Sequence, residues 1–440
     1  MKKLPLRREI INGIFGASLI IFSLLIVGVS KTQAVDTINS PGFEEKWQTE
    51  NKAYDWQDFQ SGYQRVPTAH TGAWGITMAN NSQTQLSGAY QRIDLQQTAI
   101  KPVFIGGYVS GASVLMAPGS WLGASIYAEI HLKDGKVVYW NSLPNSGTFS
   151  WRWIGFNTGT LASVDQPIDY IYLVPLLGQA TGRANFDDMC LNEFESTGPA
   201  VTIMFDDNEI STFTEGKPVL DGYQMPASVA VPTSLIGKVG FMNVKQLNEL
   251  KNKNWEIVSH GIKHVDLTTL GPAALLNELS GSKLRLQNLG FPVKNFALPF
   301  GAYNANIMSL GSTLYTSIRA FELGDNPQGL FPYDVKVQAV MDTTTPEMVK
   351  TWLEQAQAKN RWLVLVFHQI GPGDDTSHTT PETFKQIMKE VKDSGLNVIT
   401  YDQGIQRYAV KKEQCQTTLP TPPPVASPTQ TTIITTTLSQ

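Results

Sequence analysis

Cysteine is nearly absent from this chain of 440 residues: Cys190 and Cys415 are the only two. Local pattern puts the first inside a strand and the second in a C-terminal tail, so no disulfide framework is expected. Core packing or a bound cation such as calcium then has to hold the fold. Charge is sparse as well, with 16% Asp, Glu, Lys and Arg and a net of −4. No Lys/Arg run is long enough to make a phosphate-binding stripe, which sets nucleic acid aside as a partner. No internal repeat of useful period is visible, so the chain is not an array of copies. What is plentiful is aromatic surface, with 10 Trp and 14 Tyr, which points to sugar contacts or aromatic-rich packing. The length suits two or three units of ordinary domain size.

Residues 1–34 read as an export signal. Lys2, Lys3, Arg7 and Arg8 precede an apolar run from Ile10 to Val29, followed by "SKTQA" with short side chains at Thr32 and Ala34,. The mature chain is therefore expected outside the cytoplasm, secreted or attached to the cell surface. The run is about as long as the ~20 residues that span a bilayer, so an uncleaved membrane anchor is the alternative; the Ala34 site favours cleavage. Over 35–196, short alternating segments such as "ASIYAEIHL" and "DYIYLVPLL" are separated by turn clusters, the pattern of an all-β sandwich,. Over 199–410, strand-like runs alternate with helix-like ones, which implies parallel strands covered by helices. Residues 411–440 are rich in Thr and Pro and read as a disordered tail or stalk.

Chemistry gathers at the expected strand ends of the second region. "VTIMFDDNE" ends an apolar strand with Asp206 and Asp207, "SHGIKH" follows the next strand with His260 and His264, and "LVLVFHQ" delivers His368. Singly, each has an ordinary alternative: a turn, a surface pair, a core hydrogen bonder. In order along successive carboxyl-terminal strand ends, they fall where parallel α/β folds place their sites. Two imidazoles and one carboxylate complete a three-ligand set for Zn²⁺ or a similar divalent ion, with positions left for water and substrate.

Taken together, "MFDDN", "SHGIKH", "FALPFGAYN" and "LVFHQ" resemble the ordered motifs of the polysaccharide deacetylases, the NodB-homology carbohydrate esterases of family 4. The resemblance implies an irregular (β/α) barrel that uses a divalent metal to remove acetyl groups from N-acetyl sugars or O-acetylated xylan. Carried over by motif, Asp207, His260 and His264 are ligands, Asp206 is the general base and His368 the general acid. A backbone N–H near Phe300 serves the oxyanion, Gly301 allows close backbone approach, and Val366 lines the slot for the acetyl methyl. Two departures stand out. Ala297 occupies the place where many members carry an Arg that braces the base, and Asn208 replaces the usual Gly. Arg319 is the candidate substitute brace, with a plain surface or core ion pair as its alternative. The motif with the aspartate that orients the acid histidine is not legible, and Asp334 and Asp342 are candidates for it.

A second Phe-Asp-Asp closes the first region at Asp187 and Asp188, and "NSPGFEEKW" opens it. Both resemble segments of jelly-roll carbohydrate-binding modules, which implies a structural Ca²⁺ held by Glu44 and Asp187; an ordinary strand-end turn is the alternative. Phe149, Trp151 and Trp153 alternate along a strand and are expected in the core, whereas Trp56, Tyr63 and Trp74 are placed on loops as candidates for sugar stacking. The expectation is an exported, metal-dependent deacetylase of N-acetylated cell-wall or extracellular polysaccharide. Its rivals are an O-acetyl esterase, an inactive glycan-binding or adhesion protein, and a 2-His-1-carboxylate iron oxygenase. No residue pattern speaks to oligomeric state.

Overall fold

A computed structural model describes residues 38–373 and 376–415; the expected leader and the chain beyond Cys415 lie outside the described residues. Ten strands come first: β1 (Gln57–Gln60), β2 (Gln64–Val66), β3 (Gly75–Asn80), β4 (Leu86–Asp94), β5 (Val103–Met116), β6 (Gly123–Leu132), β7 (Val137–Asn141), β8 (Gly147–Asn157), β9 (Ile168–Gly178) and β10 (Ala180–Glu193). They form two antiparallel sheets of five, in the orders β1-β4-β9-β6-β7 and β2-β3-β10-β5-β8. Period-2 alternation explains the pairing of the sheets. On β6, Ala124, Ile126, Ala128 and Ile130 face a core to which the second sheet contributes Val103, Ile105, Val109 and Phe186, while Tyr127, Glu129 and His131 take the other face.

Three aromatic expectations sort by burial. Phe149 and Trp153 are buried and Trp151 half-buried, and Trp153 packs across the seam against Phe331 at 5.1 Å rather than inside the sandwich. Trp56 and Tyr63, expected on open loops, are each only 4% exposed. The Trp56 ring lies 5.0 Å from Phe43, its N–H donates to the Asn39 carbonyl, and the Tyr63 hydroxyl donates to the Trp56 carbonyl. Trp74 is half-buried beneath the Arg65 guanidinium at 3.8 Å. The polar tips of Trp56 and Tyr63 find backbone partners, which is why these rings bury despite lying between strands.

The second region is a closed ring. β11 (Ala200–Phe205), β12 (Ser228–Val231), β13 (Glu256–Ser259), β14 (Asn295–Ala297), β15 (Ser317–Leu323), β16 (Val335–Ala339) and β17 (Trp362–Phe367) run parallel, β17 pairs with β11, and β11 pairs with β12. The result is a barrel of seven parallel strands. Strands buried on both faces read as near-continuous apolar runs. Met204, Val258, Val364 and Val366 point into the barrel, while Phe205, Ile257, Leu365 and Phe367 point outward. Helices Pro346–Ala358 and Pro381–Asp393 cover that outer layer, and both begin with Thr-Pro-Glu: the Thr hydroxyl caps a backbone N–H, and Pro and Glu suit the first turn,. Trp362, Tyr401 and Tyr408 fill the amino-terminal end of the barrel, leaving the carboxyl-terminal end for chemistry,.

One expectation is overturned at the seam. Cys190 on β10 and Cys415 in the turn Lys412–Cys415 form a disulfide across 225 residues, with Cα atoms 5.1 Å apart. The chain leaving the barrel returns to the last sandwich strand, a proximity that local pattern cannot show. In the loop-entropy model, closing so long a loop stabilises the fold by roughly 5 kcal/mol.

Candidate metal centre

β11 ends at Phe205, and the Asp206 N–H still donates to the Phe367 carbonyl at 2.9 Å. The chain then turns through left-handed backbone at Asp207 (φ 71°) and Asn208 (φ 64°). Asn tolerates that conformation better than other non-glycine residues. Here its side-chain amide also donates to the Met242 carbonyl, which accounts for Asn208 where a Gly was expected. The turn sends the two carboxylates to different partners.

Asp207 Oδ1 lies 3.2 Å from His260 Nε2 and 3.0 Å from His264 Nε2. The three ligand atoms lie within 4.8 Å of one another. Oδ1 is buried without a hydrogen-bond partner, so these are converging lone-pair atoms rather than a hydrogen-bonded cluster. His260 Nδ1 is 2.8 Å from the Ala297 carbonyl; since a carbonyl only accepts, Nδ1 carries the proton and Nε2 is left to ligate,. Burial alone would raise the Asp207 carboxyl, but the two facing imidazoles, when they carry protons in place of a cation, outweigh it and hold it well below the usual range. Burial opposes protonation of His260, and the carboxylates of Asp207 and Asp206 outweigh it, so its pKa lies above the usual value. An orphaned carboxylate oxygen facing two imidazole nitrogens fits a divalent cation.

Asp206 meets Arg319. The Arg319 Nη2 donates to Oδ1 at 2.8 Å and Oδ2 at 2.6 Å, and both residues are buried. Ala297 on β14 is the register partner of Arg319 on β15. A guanidinium one strand over, at the same level of the barrel, thus reaches Asp206 from beside the position where the brace was expected. His368 Nε2 stands 4.0 Å from Asp206 Oδ2. Among the described residues its buried Nδ1 has no hydrogen-bond partner, so neither candidate, Asp334 or Asp342, accepts from it. Val366 is fully buried between Met204 and Ala339 in register and offers no surface to an acetyl group. Phe300, at φ 57°, is 60% exposed with its ring 4.6 Å from His264. Gly301 follows at φ 65°, where a Cβ would lie 2.3 Å from that of Phe321.

Two residues escaped the sequence reading. Glu278, 4% exposed on the π-helical turn Asn277–Gly281, accepts from the Ile262 N–H at 2.6 Å and the Lys263 N–H at 3.1 Å. It fastens the loop joining the two histidines. Glu209 lies two residues past Asp207, and burial together with the Asp207 charge pushes its carboxyl up to about 7. Neither belongs to a legible spacing: Glu278 acts through the folded loop, and Glu209 stands out only through its burial beside Asp207.

In the sandwich, Glu44 and Asp187 do share a partner, but it is the backbone turn at 70–74. Asp187 Oδ2 accepts from the His70 and Thr71 N–H groups at 2.6 and 3.0 Å, and Oδ1 from the Asp188 N–H at 2.8 Å. Glu44 Oε1 accepts from the Ala73 and Trp74 N–H groups. Asp188 meets His70 Nδ1 and the Thr71 hydroxyl, each at 2.7 Å. In this structure N–H groups of the turn, and not a cation, meet the oxygens of Asp187 and Glu44.

Residues 195–315 match the family model described as "Polysaccharide deacetylase". The match supports a polysaccharide deacetylase domain there; it spans Asp206 to His264 but stops short of Arg319 and His368. A Bacillus subtilis (strain 168) protein named "Putative polysaccharide deacetylase YxkH" is 30% identical over 105 residues, 24% of this chain and 38% of that protein. Among solved structures, the Xyl-CE4 domain of a multidomain xylanase from the hindgut metagenome of Trinervitermes trinervoides is 18% identical, with 48% of this chain and 91% of that one covered and a TM-score of 0.35. A CE4 family pseudoenzyme from Bacillus anthracis is 11% identical, with 49% and 68% covered and a TM-score of 0.35.

Proposed function

We propose that the chain is an exported, metal-dependent deacetylase that hydrolyses the acetamide of an N-acetylated glycan, and that its sandwich is a jelly-roll unit resembling carbohydrate-binding modules. The observation that carries this reading is the placement of Asp207, His260 and His264 beside the Asp206–His368 pair at the open end of the barrel. A divalent ion held by those three, Zn²⁺ in our reading, supplies Lewis acidity toward the acetyl carbonyl and toward water near neutral pH.

The chain's own groups supply the rest. Asp206, held through both oxygens by Arg319, takes a proton from the attacking water,. His368 delivers a proton to the departing nitrogen, which leaves poorly as an anion. A backbone N–H near Phe300 faces the developing oxyanion. An iron oxygenase would share the ligand types but has no use for a braced carboxylate and a second histidine placed for proton transfer.

Acetate release over a panel of N- and O-acetylated glycans, with and without chelator, tests the proposal. Release from N-acetylated substrates that stops on chelation supports it. Release from O-acetyl esters alone makes the chain an esterase, and none from any substrate, with metal bound, makes it a glycan-binding protein. Asp207→Asn should lower metal content and recover part of its activity in excess metal.

A further inference from the structure

The two outer faces of the sandwich meet different surroundings. On the sheet β2-β3-β10-β5-β8, Phe104, Tyr108 and Trp153 join the core layer that surrounds the barrel. On the sheet β1-β4-β9-β6-β7, a separate cluster forms in which Phe59, Tyr90, Tyr139 and Tyr172 stand half-buried around Tyr127. The outward residues of a sandwich strand are ordinarily polar. Here the rings reach from the first strand of the sheet to the last, roughly 19 Å at the usual strand spacing.

One carboxylate sits among these rings. Glu129 on β6 is in register with Tyr172 on β9 and Tyr139 on β7, and Tyr127 precedes it by two residues on the same face. The Tyr127 hydroxyl donates to Glu129 Oε1 at 3.3 Å, a long bond,. Burial holds the Glu129 carboxyl above its ordinary range, and no Lys or Arg among the described residues pairs with it. The charges beside it are already matched. Arg92 lies over the Tyr170 ring at 3.6 Å and donates to Asp94 Oδ1 at 2.9 and 2.6 Å, and Lys133 meets Asp169 at 3.0 Å. Glu129 is thus the unbalanced charge of this face.

A half-buried carboxylate with one weak donor favours a ligand that brings donors and positive charge. An ammonium group supplies both, and the surrounding rings attract it over their faces. Aromatic surface also stacks on the apolar faces of sugar rings. Hydrolysis of an acetamide leaves an amine that is protonated near neutral pH, so a deacetylated glycan unites the two features.

We propose that this face binds an amine-bearing, de-N-acetylated glycan, with an ammonium group at Glu129 and sugar rings on the flanking tyrosines. The ligand's origin rests on the deacetylase reading of the metal centre; the site rests on the sheet alone. A stretch already converted then keeps the protein on its polymer while the barrel acts elsewhere along it.

The test titrates the full chain calorimetrically with glucosamine hexamer, glucose hexamer and hexalysine, none of which carries an acetyl group. Glucosamine hexamer should bind about tenfold more tightly than either of the others. Glu129→Gln, which keeps the size and removes the charge, should weaken it about tenfold, and so should Tyr139→Ala on the edge strand; should one variant fail to fold, the other decides. Equal binding of glucose hexamer overturns the amine assignment, and equal binding of hexalysine overturns the glycan. Glucosamine hexamer that does not bind, or that binds both variants as it binds the wild type, overturns the site. Acetate release from N-acetylglucosamine hexamer, measured in parallel, judges the metal centre separately. Glucosamine binding weakened in the variants without any acetate release sustains this face and fails the deacetylase reading; acetate release without glucosamine binding does the reverse.

Discussion

The tripeptide Phe-Asp-Asp occurs twice, ending at Asp188 and Asp207, and the two copies meet opposite surroundings. In the sandwich both carboxylates are fully buried on β10 at a break in its register, where they meet donors from the 70–71 turn and the adjoining backbone. In the barrel the strand has ended, left-handed backbone splits the pair, and each carboxylate faces cationic or lone-pair groups from other strands. Neighbouring carboxylates coexist only when something compensates their repulsion. Hydrogen bonds from a fixed loop make a staple; an arginine and two imidazoles at an open end make a reaction site.

The comparison breaks most sharply at Asp206. Asp206→Asn should lower acetate release by about 10²–10⁴-fold while metal stays bound, whereas Asp188→Asn should not touch the chemistry; an equal loss in a folded Asp188→Asn would erase the distinction. Arg319→Ala comes next. It strands Asp206 as an unpaired buried charge and should destabilise the chain by about 3–5 kcal/mol in denaturant melts; a change below about 1 kcal/mol would mean the pair contributes little. Glu278→Gln keeps the size but weakens the grip on the histidine loop, so metal affinity should fall about tenfold, the lower end for groups that orient ligands. Unaltered affinity by titration would leave Glu278 a purely structural residue.

The smallest effect sharpens the sandwich side. Burial and the adjacent Asp188 push Asp187 up to about 7, far above an unfolded carboxyl. The native state then keeps a proton that the unfolded chain has released, so this group's stabilisation is present below pH ~4 and lost as pH rises through about 7. The stability advantage of the wild type over Asp187→Asn should shrink over that range. Calcium or chelator should leave the melting of metal-free protein unshifted at the sandwich; a calcium-dependent rise lost in Asp187→Asn would restore the cation reading.

The barrel and the residues gathered at its open end were legible because parallel strands announce themselves as apolar runs and their carboxyl ends collect the polar residues that follow. Asp206, Asp207, His260, His264 and His368 each sit one or a few residues past such a run. Arg319 could be named as a brace but not placed, since its level beside Ala297 depends on sheet register. Glu278 was hidden because it acts on backbone N–H groups sixteen and fifteen residues away. The N–H partners of Glu44 and Asp187 were hidden because a carboxylate in a sequence does not reveal whether N–H groups or a cation will meet it. Trp56 and Tyr63 failed for a related reason: a loop position says nothing about what folds over it.

The Cys190–Cys415 bond encloses all seven barrel strands in one covalent ring. A single protease cut in any barrel loop would therefore open the ring without releasing a fragment, and the halves of the metal centre would stay joined. Such bonds persist in oxidising surroundings. The clasp makes damage survivable: the barrel can be nicked and remain one molecule.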